Sequence, residues 1–384
     1  MTQRFVSRGL TLAVLAAVSV LAACESGPSK AELEAQRLAA EAAARQPPPI
    51  ALNDGVAQAA SVYVAFLRQM ESIQAGGFTD AESIQASIRK GAAYDPAQLS
   101  RGMIAYGAVL ALQSPEFVAG VRQYAIDPAQ RQQIVAQIIA DPAYAATLPG
   151  AQYAAGLIIE TLGKDASAVR AIADGIEQDA YTIQERADPR RRWATAHITN
   201  REERLETAKT LSANPMLPSA DEAAQLFEAA NSGSGLNLTA GTRSPPYTPP
   251  VARSLAIAAL AALGAAGDEA RINTDALVME TNNEFCLNMS KLMLYQCLAA
   301  SRPSYEDMFC LGRHVVRDLA SCTTEATLAP RISVGDPEET GGASTAASAA
   351  QTAVEVSTPI QPQVTLAPAP TQTSAAEAVR SPAS

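Results

Sequence analysis

Four cysteines toward the C-terminal end constrain this chain more tightly than any other feature. They stand at Cys286, Cys297, Cys310 and Cys322. The first two are 11 positions apart and the last two 12, about three turns of α-helix in each case. Each pair can therefore line one face of one helix. The stretches 284–300 and 304–322 read as helical, with Gly312 the one interruption, and Ser301-Arg302-Pro303-Ser304 reads as a tight connection between them. Ser304 followed by Asp307 partly matches a capping box at the second start. Antiparallel helices then bring Cys297 to Cys310 and Cys286 to Cys322. Of the three pairings four cysteines allow, only this nested one suits a hairpin with both pairs facing inward. Structural zinc, the competing use of four cysteines, draws its ligands from close pairs, and no close pair is present. Nor is there a Cys-x-x-Cys unit of the redox type.

Disulfides require an oxidising compartment, and the N-terminus supplies a route to one. Residues 1–8 carry Arg4 and Arg8 without an acid, and residues 9–23 follow without a charge. A basic start and a short apolar stretch make a secretory signal, too short for a membrane span of about 20 apolar residues. The stretch ends Leu21-Ala22-Ala23-Cys24, which resembles the lipobox of bacterial lipoproteins. The resemblance implies cleavage before Cys24 and acylation of that residue. It thus implies a membrane anchor by several acyl chains, where one chain alone binds only marginally. An ordinary signal peptide with a cysteine at its end is the competing reading. In Gram-negative lipoproteins an Asp after the lipidated cysteine favours the inner membrane. Glu25 stands there instead, which points to the periplasmic face of the outer membrane. The cysteine hairpin is also similar to the twin-cysteine hairpins of mitochondrial intermembrane proteins. Its cysteine spacing is wider than theirs, and we read the likeness as convergent geometry.

The 384-residue chain has a formal charge of −10, and loss of residues 1–23 with their two arginines leaves −12. Such a balance argues against nucleic acid, whose phosphates need a basic surface, and against electrostatic binding to anionic lipid. The acyl chains are left to hold the membrane. Alanine is abundant and aromatics are only 5%. Alanine is the best helix former, so the expected fold is all-α.

Residues 24–49 form a lipid-anchored tether, with Ser29 placed to cap a helix over residues 30–45 and Pro47-Pro48-Pro49 to end it. A linker with residual helicity fits the same residues. A helical domain follows over 50–230. Within 56–73, Val56, Ala59, Ala60, Tyr63, Phe66, Leu67 and Met70 fall mostly three or four apart, one apolar helix face. A short helix with Ile84 and Ile88 follows Gly76-Gly77. Asp95-Pro96, Ser114-Pro115, Asp127-Pro128, Asp141-Pro142 and Asp188-Pro189 read as five helix starts, a capping side chain followed by proline at the first position. Asp-Pro-Ala-Gln recurs at 95–98 and 127–130, so stacked helical-hairpin repeats stand beside an irregular helical bundle as the architecture. The charged stretch 188–211 reads as a solvated or bridging helix. Residues 231–250, rich in Gly and Pro, read as a linker. The apolar helix over 251–266 is too short to span a bilayer and reads as buried. It opens a segment to 330 that ends in the hairpin. The Pro/Ala/Thr/Ser-rich tail 331–384 reads as disordered.

Trp193, the one tryptophan, follows Arg191 and Arg192. Arg and aromatic residues are enriched where partners bind, which makes the three a candidate interface, with a half-buried packing role for Trp193 as the alternative. Of the two histidines, His197 and His314, neither sits in a metal-ligand motif. No catalytic motif is present. Glu160, after an apolar run, is the one candidate for a general acid, with the polar edge of an amphipathic helix as its other reading. The resulting expectation is a non-enzymatic envelope lipoprotein that serves a protein complex as a structural or assembly factor. No metal or cofactor is expected. The alternatives are a lipoprotein that binds a periplasmic ligand or peptidoglycan, and an envelope hydrolase.

Overall fold

The computed structural model describes residues 29–44, 46–186 and 188–328. The expected signal segment, Cys24 and the tail 331–384 lie outside the described residues. What is described is all-α, with two isolated bridges as its only β-type pairing.

Helix α1 (Lys30–Ala44) opens with a reciprocal cap. Ser29 Oγ accepts from the Glu32 N–H at 3.2 Å, and Glu32 accepts from the Ser29 N–H at 2.7 Å. Two of the N–H groups left orphaned at the helix start are thereby satisfied. Helix α2 (Asp54–Glu71) buries Val56, Ala60, Tyr63, Phe66, Leu67 and Met70 on one side. Helix α3 (Ala81–Ala92) buries Ile84 and Ile88.

The proline starts come next, and each cap is made. Asp95 accepts from the Gln98 N–H, Ser114 from Phe117 and Asp127 from Ala129. They begin α4 (Pro96–Leu112), α5 (Pro115–Arg122) and α6 (Pro128–Ala140). Asp141 and Asp188 cap in the same way, but they open short 3₁₀ stretches, Pro142–Thr147 and Pro189–Arg191. Pro149 and Gly150 follow the first of these, and Gly150 takes φ 82°, so the chain turns there and enters α7 (Ala151–Glu185). At 35 residues α7 is about 50 Å long and serves as the spine.

Helix α4 lies at the centre, buried along most of its length against α2, α7 and α11 (Pro249–Ala262). Small residues let the backbones approach. A Cβ on Gly102 would stand 2.6 Å from the Ala59 carbonyl, and one on Gly107 would stand 2.4 Å from Ser254 Oγ. The two Asp-Pro-Ala-Gln copies therefore sit in unlike surroundings, because α6 buries only Ile134 and Ile138. The molecule is an irregular bundle. Helix α11 is buried almost throughout, and among the described residues no single helix is long and apolar enough to cross a membrane.

The charged stretch 188–211 is not one helix. It divides into the 3₁₀ turn, α8 (Arg192–Thr195), an extended piece and α9 (Arg201–Ala213). The extended piece is held by the hairpin turn. Ile198 N–H donates to the Arg302 carbonyl at 2.8 Å, and Ser304 N–H donates to the Ala196 carbonyl at 3.2 Å. Helix α10 (Ala220–Ser232) then packs on α2. The Gly/Pro-rich stretch between α10 and α11 is fixed on α7, where the Arg243 N–H donates to the Gln152 carbonyl at 3.0 Å. Short α12 (Ile272–Asp275) leads into the hairpin.

The hairpin consists of α13 (Thr281–Ala300), α14 (Ser304–Leu311), a π-turn over Gly312–Arg317 and α15 (Asp318–Thr327). The Cys286–Cys322 sulfurs are 2.02 Å apart and the Cys297–Cys310 sulfurs 2.05 Å, with Cα separations of 5.7 and 5.6 Å. The π-turn makes the nested geometry possible. Positions 11 apart on an α-helix differ by about 20° of rotation, whereas positions 12 apart differ by about 120°. A π-turn takes up one extra residue, so Cys310 and Cys322 present themselves like the 11-spaced pair on α13. The expected capping box at Ser304 is not formed, because Asp307 is engaged elsewhere. The hairpin packs along α7 through α14, the π-turn and α15, and one apolar core runs from Leu52 to Ala326.

Candidate interaction surfaces

The turn that follows α7 carries the candidate interface. Arg191 reaches back to an ion pair with Asp179 on α7. Trp193 is half-buried against the core and Arg192 is exposed. The turn encloses a hollow of about 170 Å³ walled by Ile183, Arg186, Asp188, Arg191 and Arg192. On the neighbouring surface Tyr181 and Phe309 meet edge-on at 5.8 Å. Of the three named residues, then, Arg191 makes an internal tie, Trp193 packs, and Arg192 is the one most open to a partner.

Two buried cations fix the helices around this turn, and sequence reasoning missed both. Arg204 lies on α9 within the stretch read as solvated, yet it is 4% exposed. Its Nη1 meets both Asp307 oxygens at 2.6 Å, its Nη2 donates to the Leu298 carbonyl, and Ser301 Oγ donates to Asp307 at 2.7 Å. Burial pushes the Asp307 carboxyl above its ordinary range, against the pull of Arg204. On α13, Lys291 Nζ donates to the Tyr94 carbonyl and, at 3.0 Å, to that of Ser212, and it lies 4.5 Å from the Tyr94 ring centroid. Burial lowers its pKa to about 8. The hairpin is thereby tied to α9 and to the α3–α4 connection.

A larger surface runs along the first half of α2. Two hollows of about 390 and 280 Å³ adjoin there, with Gln58 and Pro218 in the wall of both. Ala57, Ala220, Ala223 and Ala224 line the first, and Phe227 closes it. Small side chains keep it open enough for a partner backbone to approach. Arg101 and Arg271 line the second. Neither has an acidic partner among the described residues, and the Arg101 guanidinium meets only Met279 Sδ, at 3.6 Å. Leu217 stands between two wall residues, Met216 and Pro218, and Ile272 follows Arg271. Both are 84% exposed, the highest of the large apolar side chains described. Neither belongs to a periodic apolar pattern, so the sequence carried no local signal for this groove.

Glu160 holds a loop. Its Oε1 accepts from the Gly241 N–H at 3.2 Å and from Arg243 at 3.4 Å, which fastens the α10–α11 connection to α7. Further along α7, burial and then the charge of Glu71 raise the Asp165 carboxyl to about 6. His314 stands 3.5 Å from Asp318, and His197 is exposed. Among the described residues no three His, Cys, Asp or Glu side chains are grouped to hold a metal ion. No protein-family model, curated protein or solved structure matches this chain.

Proposed function

We propose that this chain is a non-enzymatic lipoprotein of a bacterial envelope, anchored through Cys24 on the periplasmic face of the outer membrane. It acts there as a structural or assembly factor of a membrane-associated protein complex. The observation that carries the reading is the groove along α2. Leu217, next in the chain to the wall residue Pro218, and Ile272, next to the wall residue Arg271, are exposed apolar side chains, one hollow is lined by alanine, and the two guanidiniums of the other lack acidic partners. Exposed large apolar side chains flanking a hollow walled by small residues suit a site where another protein docks, and the arginines favour a partner with carboxylates at the matching end. The turn bearing Arg192 and Trp193 is a second, smaller contact for the same complex. A ligand-binding reading is favoured by a different feature, the cavity beside the Cys286–Cys322 disulfide.

The test is photocrosslinking in intact cells from positions 217 and 272, followed by mass spectrometry. One envelope protein captured from both positions, and released by Arg271→Glu, is the expected result. Different proteins at the two positions, or capture unaffected by Arg271→Glu, would refute the docking reading. The anchor has its own check. Cys24→Ala should move the protein out of the detergent phase, and an unchanged detergent-phase fraction would refute lipidation.

A further inference from the structure

Beside the open end of the hairpin is a cavity of about 200 Å³. Pro249 and Pro250, at the start of α11, form one side. Glu280, Asn283, Glu325 and the Cys286–Cys322 disulfide form the other. Its polar groups are mainly acceptors, and the wall contains no Lys, Arg or His. Glu280 is 6% exposed and fixed in place, its two oxygens accepting from the Asn282 and Asn283 N–H groups at 3.1 and 2.7 Å. Each carboxylate oxygen retains capacity to accept again. Asn283 is 5% exposed, and its Nδ2 donates to Ser100 Oγ, while its Oδ1 has no hydrogen-bond partner. Asn282 and Thr248 also line it, the Thr248 hydroxyl already donating to the Ala326 carbonyl, and two proline rings, Ala326 and the disulfide make the apolar part of the wall.

Two carboxylates with apolar walls match one ligand chemistry. An ammonium head has three donors and no acceptor, and a methylene stem lies well on apolar surface. A divalent cation such as calcium takes six to eight oxygens, more than two carboxylates supply, and it would leave the apolar walls unused. The volume is below the roughly 300 Å³ at which sites for drug-sized ligands begin, so the occupant has the size of a side chain. We infer that this cavity binds a primary alkylammonium group, either a free amine or the lysine side chain of a peptide. The site is separate from the α2 groove and stands whether or not a partner docks there. The disulfide contributes twice. It is part of the wall, and it joins α13, which follows Glu280, to α15, which carries Glu325. The spacing of the two carboxylates therefore depends on the bond.

Calorimetric titration of the full chain with pentylamine, the peptide Gly-Lys-Gly, 1-pentanol and calcium chloride tests this. Pentylamine or Gly-Lys-Gly should bind, and 1-pentanol should not. Binding of only one of the two amines identifies the source as a free amine or a peptide lysine. Glu280→Gln retains an acceptor for the α13 cap and should weaken amine binding by about tenfold or more. If that variant fails to fold, the exposed Glu325→Gln makes the same comparison. Cys286→Ser with Cys322→Ser should weaken it too. Equal binding of 1-pentanol, tighter binding of calcium at the same residues, or no heat from either amine up to tens of millimolar would overturn the assignment.

Discussion

Arg204 lies buried on a helix nearly half of whose residues are charged, and its own charge has to be answered inside the protein. Asp307 answers it with both oxygens, and the Leu298 carbonyl and Ser301 complete the network. Removing one partner of such a pair strands the other charge in a dry site, whereas replacing both removes the problem. Arg204→Ala should therefore cost about 3–5 kcal/mol in urea unfolding. Arg204→Met combined with Asp307→Leu should cost much less, and equal losses in the two variants would refute a charge-driven effect. Asp165 gives a test of opposite sign. Burial raises its folded-state pKa to about 6, above the ordinary aspartate value of 3.8. Its contribution to stability is thus complete below about pH 4 and is lost as pH rises through 6. Asp165→Asn should be more stable than the parent at pH 7, by no more than about 1 kcal/mol because the group is partly exposed. The advantage should vanish at pH 4. A constant difference across that range would remove Asp165 as the cause.

The elements were largely legible where local chemistry decides them. Aspartate or serine before proline marked five starts, and each proved to be a capped start. What followed a start was less legible. The continuation after Asp141 depends on Pro149, and that of the charged stretch depends on pairing with the hairpin turn. The π-turn had no local signature beyond Gly312, since its cause lies on α7. A Cβ at Gly312 would stand 3.1 Å from Glu177 Cγ, so the two helices touch there. Arg317 at the end of the turn is held by Glu177 at 2.6 Å and Asp174 at 2.5 Å. Deleting Arg313 should convert the π-turn to plain α-helix and leave Cys310 and Cys322 11 positions apart, so that Cys322 keeps its direction toward Cys286. Peptide mapping without reductant should then find both disulfides intact. If the thiols of Cys286 and Cys322 are instead free to alkylate, the π-turn does not supply the extra residue of the register.

At the scale of the whole molecule, the groove could not be read from the sequence, because its walls come from α2, α4, α10 and the residues just before α10 and α12. Only the packed bundle brings them together. The same packing decides how the protein unfolds. The hairpin covers the second half of α7, including Ile176 and Ala180, and the first half of α7 packs on α4 and α11. No apolar boundary separates the hairpin from the rest, since one core contains residues of both. A hairpin that came away would expose α7 and leave Arg204 and Lys291 without their partners. Unfolding should therefore be a single step. Trp193 fluorescence reports the turn between α7 and α9, and far-UV circular dichroism reports all the helices, so the two should trace one urea transition. Replacing Cys286 and Cys322 by serine opens a loop of 36 residues, worth about 4 kcal/mol in the chain-entropy model. Both probes should move to lower urea together by up to that amount. Separation of the two transitions in the serine variant would show instead that the hairpin folds as its own unit, held to the spine by contacts weaker than its disulfides.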